Sequence, residues 1–342
     1  MAASPRVLCF GEALVDRLGP PGGDPADPTT ASTCDDRLGG APANVACALA
    51  RLGTPVAFLG RLGRDPIGEA FAQLFAARGV AVSALQWDPA RPSRVVLVRR
   101  DASGERSFGG FEGDRGAGFA DQALEASALA QHLEKLLAAP PGWLLAGTIP
   151  LASGPAAEAL ALACGRAAAH GWRLAVDVNW RPTFWDPAAD PAGAPSAAQI
   201  GAMQPLLQQA ALLKCAREEA EWIFGAADPA AVAAALPQRP AVVVTDGAAP
   251  LRWWVGGSGG ALTPPAVPLE DSTGAGDAFL AGLLHRLCGE PQLLEASGEG
   301  LRAAMRFSSA CGALVCGGAG AIDPQPTAAA VEEALRRWGE EA

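Results

Sequence analysis

Predominantly apolar runs of four or five residues recur along the chain, at Val7–Phe10, Trp143–Ala146, Leu174–Val178, Ala211–Lys214 and Ala241–Thr245. Runs this short, without polar alternation, predict strands covered on both faces, as in a parallel sheet wrapped by helices. Between them, helical apolar spacing over Leu124–Leu137, Pro155–His170 and Arg217–Phe224 supplies the crossovers. Strand–helix–strand alternation is the pattern of an α/β fold with a mostly parallel central sheet flanked by helices. A different pattern interrupts it: Arg94–Arg99, a turn at Asp101–Gly104 and a return at Glu105–Phe108 read as an antiparallel hairpin. Further helices open at Gly39–Val45, running to Leu52 with Gly53 as the stop, and at Gly274, running into the apolar stretch Leu280–Leu287.

Composition narrows the picture. At 342 residues, half of them hydrophobic, the chain can bury a large core, and it reads as one domain over 1–342. Alanine, glycine and proline concentrate in Pro187–Ala198 as in a low-complexity segment, but periodic apolar elements elsewhere exclude disorder overall. A net charge of −10 argues against nucleic acid and against an anionic membrane surface as partners. No apolar stretch is long enough to span a bilayer and no basic leader precedes Val7, so a cytoplasmic location is expected. Eight cysteines without a Cys-x-x-Cys pair, and only three histidines, make a zinc site a poor reading; the thiols fit as reduced core residues.

Candidate chemistry concentrates in Asp271-Ser272-Thr273-Gly274-Ala275-Gly276-Asp277-Ala278-Phe279. Small residues at Gly274, Ala275 and Gly276 let the backbone turn into a helix whose first N–H groups and positive dipole end face an anion. Asp277, in the first turn, can take a proton from an attacking hydroxyl while those N–H groups stabilise phosphoryl oxygens. Gly39 and Gly40 permit close backbone approach, and Asn44 offers a donor and an acceptor from a helix start. Asp177-Val178-Asn179-Trp180-Arg181-Pro182 places Asn179 and Arg181 beyond a strand's carboxyl end, where open α/β sheets bind ligands. No Gly-x-Gly-x-x-Gly follows the first strand, which argues against a dinucleotide site.

The 271–279 string and Gly39-Gly40-Ala41-Pro42-Ala43-Asn44, continued by Phe58–Gly68, resemble the two signatures of the ribokinase-like (PfkB) carbohydrate kinases. The resemblance implies a ribokinase-like α/β domain whose small β lid, about 12–38 and 91–119, closes over a sugar. It implies ATP and Mg2+, with Asp277 as base and Gly274–Gly276 as the anion hole. Asp16, Gly39, Gly40 and Asn44 match sugar-binding positions, joined by Arg181 and by Arg115 in place of the family's lid arginine. Asn179, Thr245, Asp246, Gly247 and Ser309 match the nucleotide side. Glu219 matches the glutamate that holds magnesium through water, although Ala216 stands where many members have Asn. Asp271 and Thr273 match positions that hold a monovalent cation, commonly K+, and some relatives pair as homodimers through the lid. Phe10-Gly11-Glu12 and Asp177–Pro182 look most like fructokinases, so fructose is the expected substrate. A 2-keto-3-deoxygluconate, ribose or other ketose kinase, and a non-catalytic scaffold of the same fold, are the alternatives.

Overall fold

Every residue of β1 (Val7–Phe10) is buried, as its unbroken apolar run requires. The computed structural model describes residues 4–27, 29–101, 106–114, 118–295 and 298–340. Chain order continues with β2 (Leu14–Leu18), β3 (Asp35–Gly39), α1 (Ala41–Leu52), β4 (Val56–Leu59), β5 (Arg61–Gly63), α2 (Pro66–Arg78), β6 (Gln86–Asp88), β7 (Arg94–Arg100) and β8 (Arg106–Glu112). The alternating half follows: α3 (Ala126–Leu137), β9 (Trp143–Ala146), α4 (Gly154–Ala169), β10 (Arg173–Asp177), α5 (Pro182–Trp185), α6 (Ala197–Leu207), β11 (Leu212–Ala216), α7 (Arg217–Phe224), α8 (Pro229–Ala234) and β12 (Ala241–Asp246). A closing hairpin, β13 (Ala249–Val255) and β14 (Ser258–Leu262), precedes α9 (Ala275–Gly289), α10 (Glu299–Val315) and α11 (Ala328–Glu340).

The main sheet has the order β14-β13-β12-β11-β10-β9-β1-β4. Pairing is parallel from β4 through β12, and the two edge strands β13 and β14 run antiparallel. Because side chains alternate across a strand, β1 feeds two cores. Val7 and Cys9 join α1, α9 and α10 on one face, while Leu8 and Phe10 join α3 and α4 on the other. The parallel strands share one carboxyl edge, with Asp177 at the end of β10, its register partner Lys214 at the middle of β11 and Thr245 next to the end of β12.

A second, four-stranded sheet has the order β3-β2-β7-β8, with β2 and β7 parallel across a shared register. The predicted hairpin is present as β7 and β8, which run longer than expected, while the turn residues Ala102–Gly104 lie outside the described residues. Val15, Val95 and Leu97 pack a small core with Leu38 and with Ile67 of α2. Segment 187–196 is irregular, and α6 begins only where Ser196 accepts the Gln199 amide as an N-cap.

Candidate active site

The polypeptide enters α9 through Gly274 in the left-handed region at φ 79°, with the Gly274 carbonyl accepting the Ala278 amide at 2.8 Å. A β-carbon there would lie 2.5 Å from the Ala321 side chain, so the turn and its close packing both require glycine. The amides of Ala275 and Gly276 therefore open the helix with no intrahelical acceptor, the Ala275 amide donating instead to the Ser272 carbonyl of the turn at 3.2 Å. Gly276 has a second reason to be small: a β-carbon there would come within 3.0 Å of Lys214 Nζ.

Lys214, at the third position of β11, is buried and donates to both oxygens of Asp177, at 2.8 and 3.1 Å. Burial works against its charge, but Asp177 and Asp277 outweigh that and its pKa is raised. A permanent cation thus stands beside the start of α9. Sequence reasoning missed it; the available signal was a lysine closing an otherwise apolar strand, where a charge needs a partner.

Asn44, in the first turn of α1, donates through Nδ2 to Asp277 Oδ2 at 2.8 Å, joining elements 233 positions apart. Burial raises the Asp277 pKa above the ordinary carboxylate value and the Asp177 charge adds to it, while Lys214, the Asn44 bond and Arg181 pull it down. Such a carboxylate is a better proton acceptor than an exposed one and remains ionisable. Asn44 Oδ1 is buried and accepts no hydrogen bond among the described residues. Asp16 and Gly39 converge on the same place, since a β-carbon on Gly39 would lie 3.0 Å from Asp16 Oδ2 and 3.9 Å from Asn44 Oδ1. Gly40 caps α1 at φ 98° so close to Glu12 that a β-carbon would meet the Glu12 carbonyl at 2.8 Å. The Glu12 carboxylate itself is buried, accepts the Ala41 amide at 3.2 Å, and has its pKa pushed up to about 8, chiefly by burial.

Beside β10, Asn179 sits at φ 41°, a backbone conformation rare for a side chain other than glycine's. It shares a small cavity with Glu12, Gly147 and Asp177. Arg181 donates through Nη1 to the Trp180 carbonyl at 2.9 Å and is near enough to Asp277 to lower its pKa. Glu219 is buried at the first turn of α7, with its oxygens accepting the Trp180 amide at 2.6 Å and the Ala216 amide at 2.7 Å. It thereby ties the loop after β10 to the end of β11. Each oxygen retains a second lone pair, so a water-mediated contact to a metal fits, although the carboxylate is also a structural clasp.

Thr245 and Asp246 end β12, and Gly247 turns at φ 55°. Asp246 lies 3.6 Å from Arg217. Ser309 falls in the middle of α10, buried, with Oγ unpartnered among the described residues. Arg115 lies outside the described residues. A different arginine holds the small sheet to the body: Arg94 of β7 pairs with Asp121 at 2.9 and 3.1 Å, and its guanidinium lies 4.4–5.0 Å from the rings of Phe111, Phe119 and Phe184. That buried cage had no signature in the sequence, because its members are scattered over four segments.

Asp271 is buried, and its Oδ1 accepts both the Thr273 amide at 3.0 Å and the Thr273 hydroxyl at 2.6 Å. Oδ2 accepts the Gly320 amide at 2.9 Å, with Arg37 Nη1 at 3.7 Å. No group of three or more His, Cys, Asp or Glu side chains able to hold a metal by themselves occurs among the described residues. A divalent ion here would need phosphate oxygens as part of its shell.

Residues 4–328 match the pfkB family carbohydrate kinases. A probable chloroplastic fructokinase-6 of Arabidopsis thaliana is 33% identical, over 97% of this chain and 83% of its own length. The fructokinase of Xylella fastidiosa with bound ATP superposes with a TM-score of 0.83 at 29% identity, covering 97% of this chain and 98% of that one. A double mutant of the Vibrio cholerae O395 fructokinase, in a fructose-, ADP- and potassium-bound form, gives 0.75 at 29% identity, covering 97% and 99%.

Proposed function

The chain belongs to the pfkB family of carbohydrate kinases, and from that premise we propose that it transfers the γ-phosphoryl group of ATP to the primary hydroxyl of D-fructose, giving fructose 6-phosphate. The observation that carries the proposal is the Asn44–Asp277 pair at the mouth of α9. It joins a carboxylate poised as a base to a carboxamide whose buried oxygen still seeks a donor, which a sugar hydroxyl supplies. The fructose and ADP bound by the Vibrio cholerae relative support both substrates.

In this mechanism Asp16, Gly39, Gly40 and Asn44 hold the sugar and Asp277 takes the proton of its primary hydroxyl. The freed oxygen attacks the γ-phosphorus as the bond to the ADP oxygen breaks. Ala275 and Gly276 amides and the Lys214 ammonium face the charge that builds on the phosphoryl oxygens. Magnesium would neutralise the β- and γ-phosphates, with Glu219 its water-mediated neighbour. Asn179, Thr245, Asp246, Gly247 and Ser309 form the strip along which the nucleotide lies. The four-stranded sheet acts as a lid that excludes water, so that ATP is not hydrolysed in place of transfer.

The test is ATP-dependent phosphorylation by the purified protein across fructose, ribose, 2-keto-3-deoxygluconate and adenosine. Fructose is expected to be preferred, and Asp277→Asn is expected to lower kcat by about 10²- to 10⁴-fold with ATP binding retained. Preference for one of the other acceptors would overturn the substrate, and an Asp277→Asn protein as active as its parent would overturn the base.

A further inference from the structure

Asp271 is a buried carboxylate that holds the turn leading into the anion hole, and its charge faces the same region that must receive a phosphate. Left uncompensated it would repel that phosphate and be costly to bury. Arg37, at the centre of β3, stands at this carboxylate: Nη1 is 3.7 Å from Asp271 Oδ2, and the guanidinium is tethered from behind by Asp35, which accepts Nε at 2.8 Å. Gly320, at φ 81°, lies alongside, where a β-carbon would be in ordinary contact with Arg37 Cδ and Nη1 at 3.4 Å. Thr273 and Gly320 also donate to the Asp271 oxygens. A cavity of about 140 Å³ beside them is lined by Arg37 itself, with Asp16, Asp271 and Thr273 on its walls.

We propose that Arg37 is a built-in cation for the anion hole, a positioning residue that takes over at Asp271 the work a bound monovalent cation would otherwise do, so that the kinase runs without potassium. A guanidinium carries the same single charge, cannot dissociate, and stays protonated throughout the working pH range. It also sits on the strand paired with β2, where Asp16 and Arg37 are direct register partners. The charge that completes the phosphate side is thus carried on the sheet that contributes to the sugar side.

The inference rests on the kinase reading, and its test separates the two by pairing activity with a ligand-independent measurement. Initial rates and thermal midpoints are recorded in tetramethylammonium buffer at constant ionic strength, with KCl titrated in, for wild type, Arg37→Ala and Arg37→Lys. Wild type and Arg37→Lys are expected to change less than twofold in rate and to show no potassium-specific rise in midpoint. Arg37→Ala is expected to lose at least tenfold in rate, to regain most of it with KCl but not LiCl, and to rise in midpoint with KCl. A wild type activated severalfold by KCl, or stabilised by it specifically, overturns the proposal even if Arg37→Ala does not fold. An Arg37→Ala protein indifferent to KCl overturns it as well. If no acceptor is phosphorylated, the midpoints alone decide.

Discussion

Lys214 shows why part of the proposed catalytic centre escapes the sequence. Asp277 is legible because small residues before it announce a helix start and the whole 271–279 string resembles a family signature; a first-turn carboxylate alone would read as dipole compensation. Lys214 is one polar residue closing an apolar strand, and only the fold places it against Gly276. Replacing it with methionine keeps the volume and removes the charge. Asp177, its 2.8 Å partner, is then left buried and unpaired. Lys214→Met is expected to lower kcat by about 10²-fold or more, as for loss of a preorganised electrostatic contact. It also removes a charge that lowers the Asp277 pKa, so the acid limb of the rate profile should move to higher pH. Stopped assays across pH, set against Lys214→Arg, check both. Glu12 reads in the sequence only as part of a fructokinase-like string, yet it is a titration device. Its pKa is raised from 4.5 to about 8 by burial, so the folded protein keeps a proton that the unfolded chain releases. The sign follows: the penalty is absent below the unfolded pKa and grows as pH rises towards the folded one. Glu12→Gln should therefore match wild type below about pH 4 and exceed it at neutral pH by roughly 3 kcal/mol at most. Urea midpoints at the two pH values test this.

Elements with strong periodicity were readable from the residues alone. β1, β9 and α7 fall on the predicted residues, because an unbroken apolar run or an acidic helix start followed by glycine leaves little choice. α6 and α11 were not foreseen. α6 follows the irregular alanine- and proline-rich segment, contains Pro205 and takes its place by packing rather than by pattern, whereas α11 does carry helical apolar spacing at Val331, Ala334, Leu335 and Trp338. The packing of α9 on α10 is the element-level feature that bears on function. A β-carbon on Gly282 would come within 2.9 Å of Ser308 Cα, and one on Gly312 within 2.9 Å of the Ala275 carbonyl. The second contact reaches the first turn of α9, where the phosphate is to bind. Gly312→Val is expected to destabilise by about 1–3 kcal/mol through overpacking and to depress kcat more than it raises KM for the sugar. A denaturation curve and a Michaelis analysis of the same preparation separate the two effects.

At the scale of the whole molecule, the sequence identified a parallel α/β body with a smaller β unit, and the sheet order and two cores carry that reading. The large apolar side chains exposed among the described residues are Trp222 and Leu269, neither on the four-stranded sheet. No helix among the described residues is long and apolar enough to cross a membrane. Covering the sheet depends on the end of the chain. α9 and α10 share with α1 the face that holds Val7 and Cys9, so a chain ending at Leu262 keeps every strand but leaves much of that face uncovered. Such a truncation should be recovered as aggregate rather than as folded protein, which sedimentation of expressed lysate would reveal. The bond between Asn44 and Asp277 carries a further consequence, one of timing. A contact that closes a loop of 233 positions forms late, after the local pairing of β1 with β4 has had time to settle. On the ribosome, α1 emerges long before its partner exists. On the proposed reading, the nascent chain can therefore assemble its sugar-facing half while it has no base to activate anything, and catalysis can switch on only after Asp277 has emerged and met Asn44.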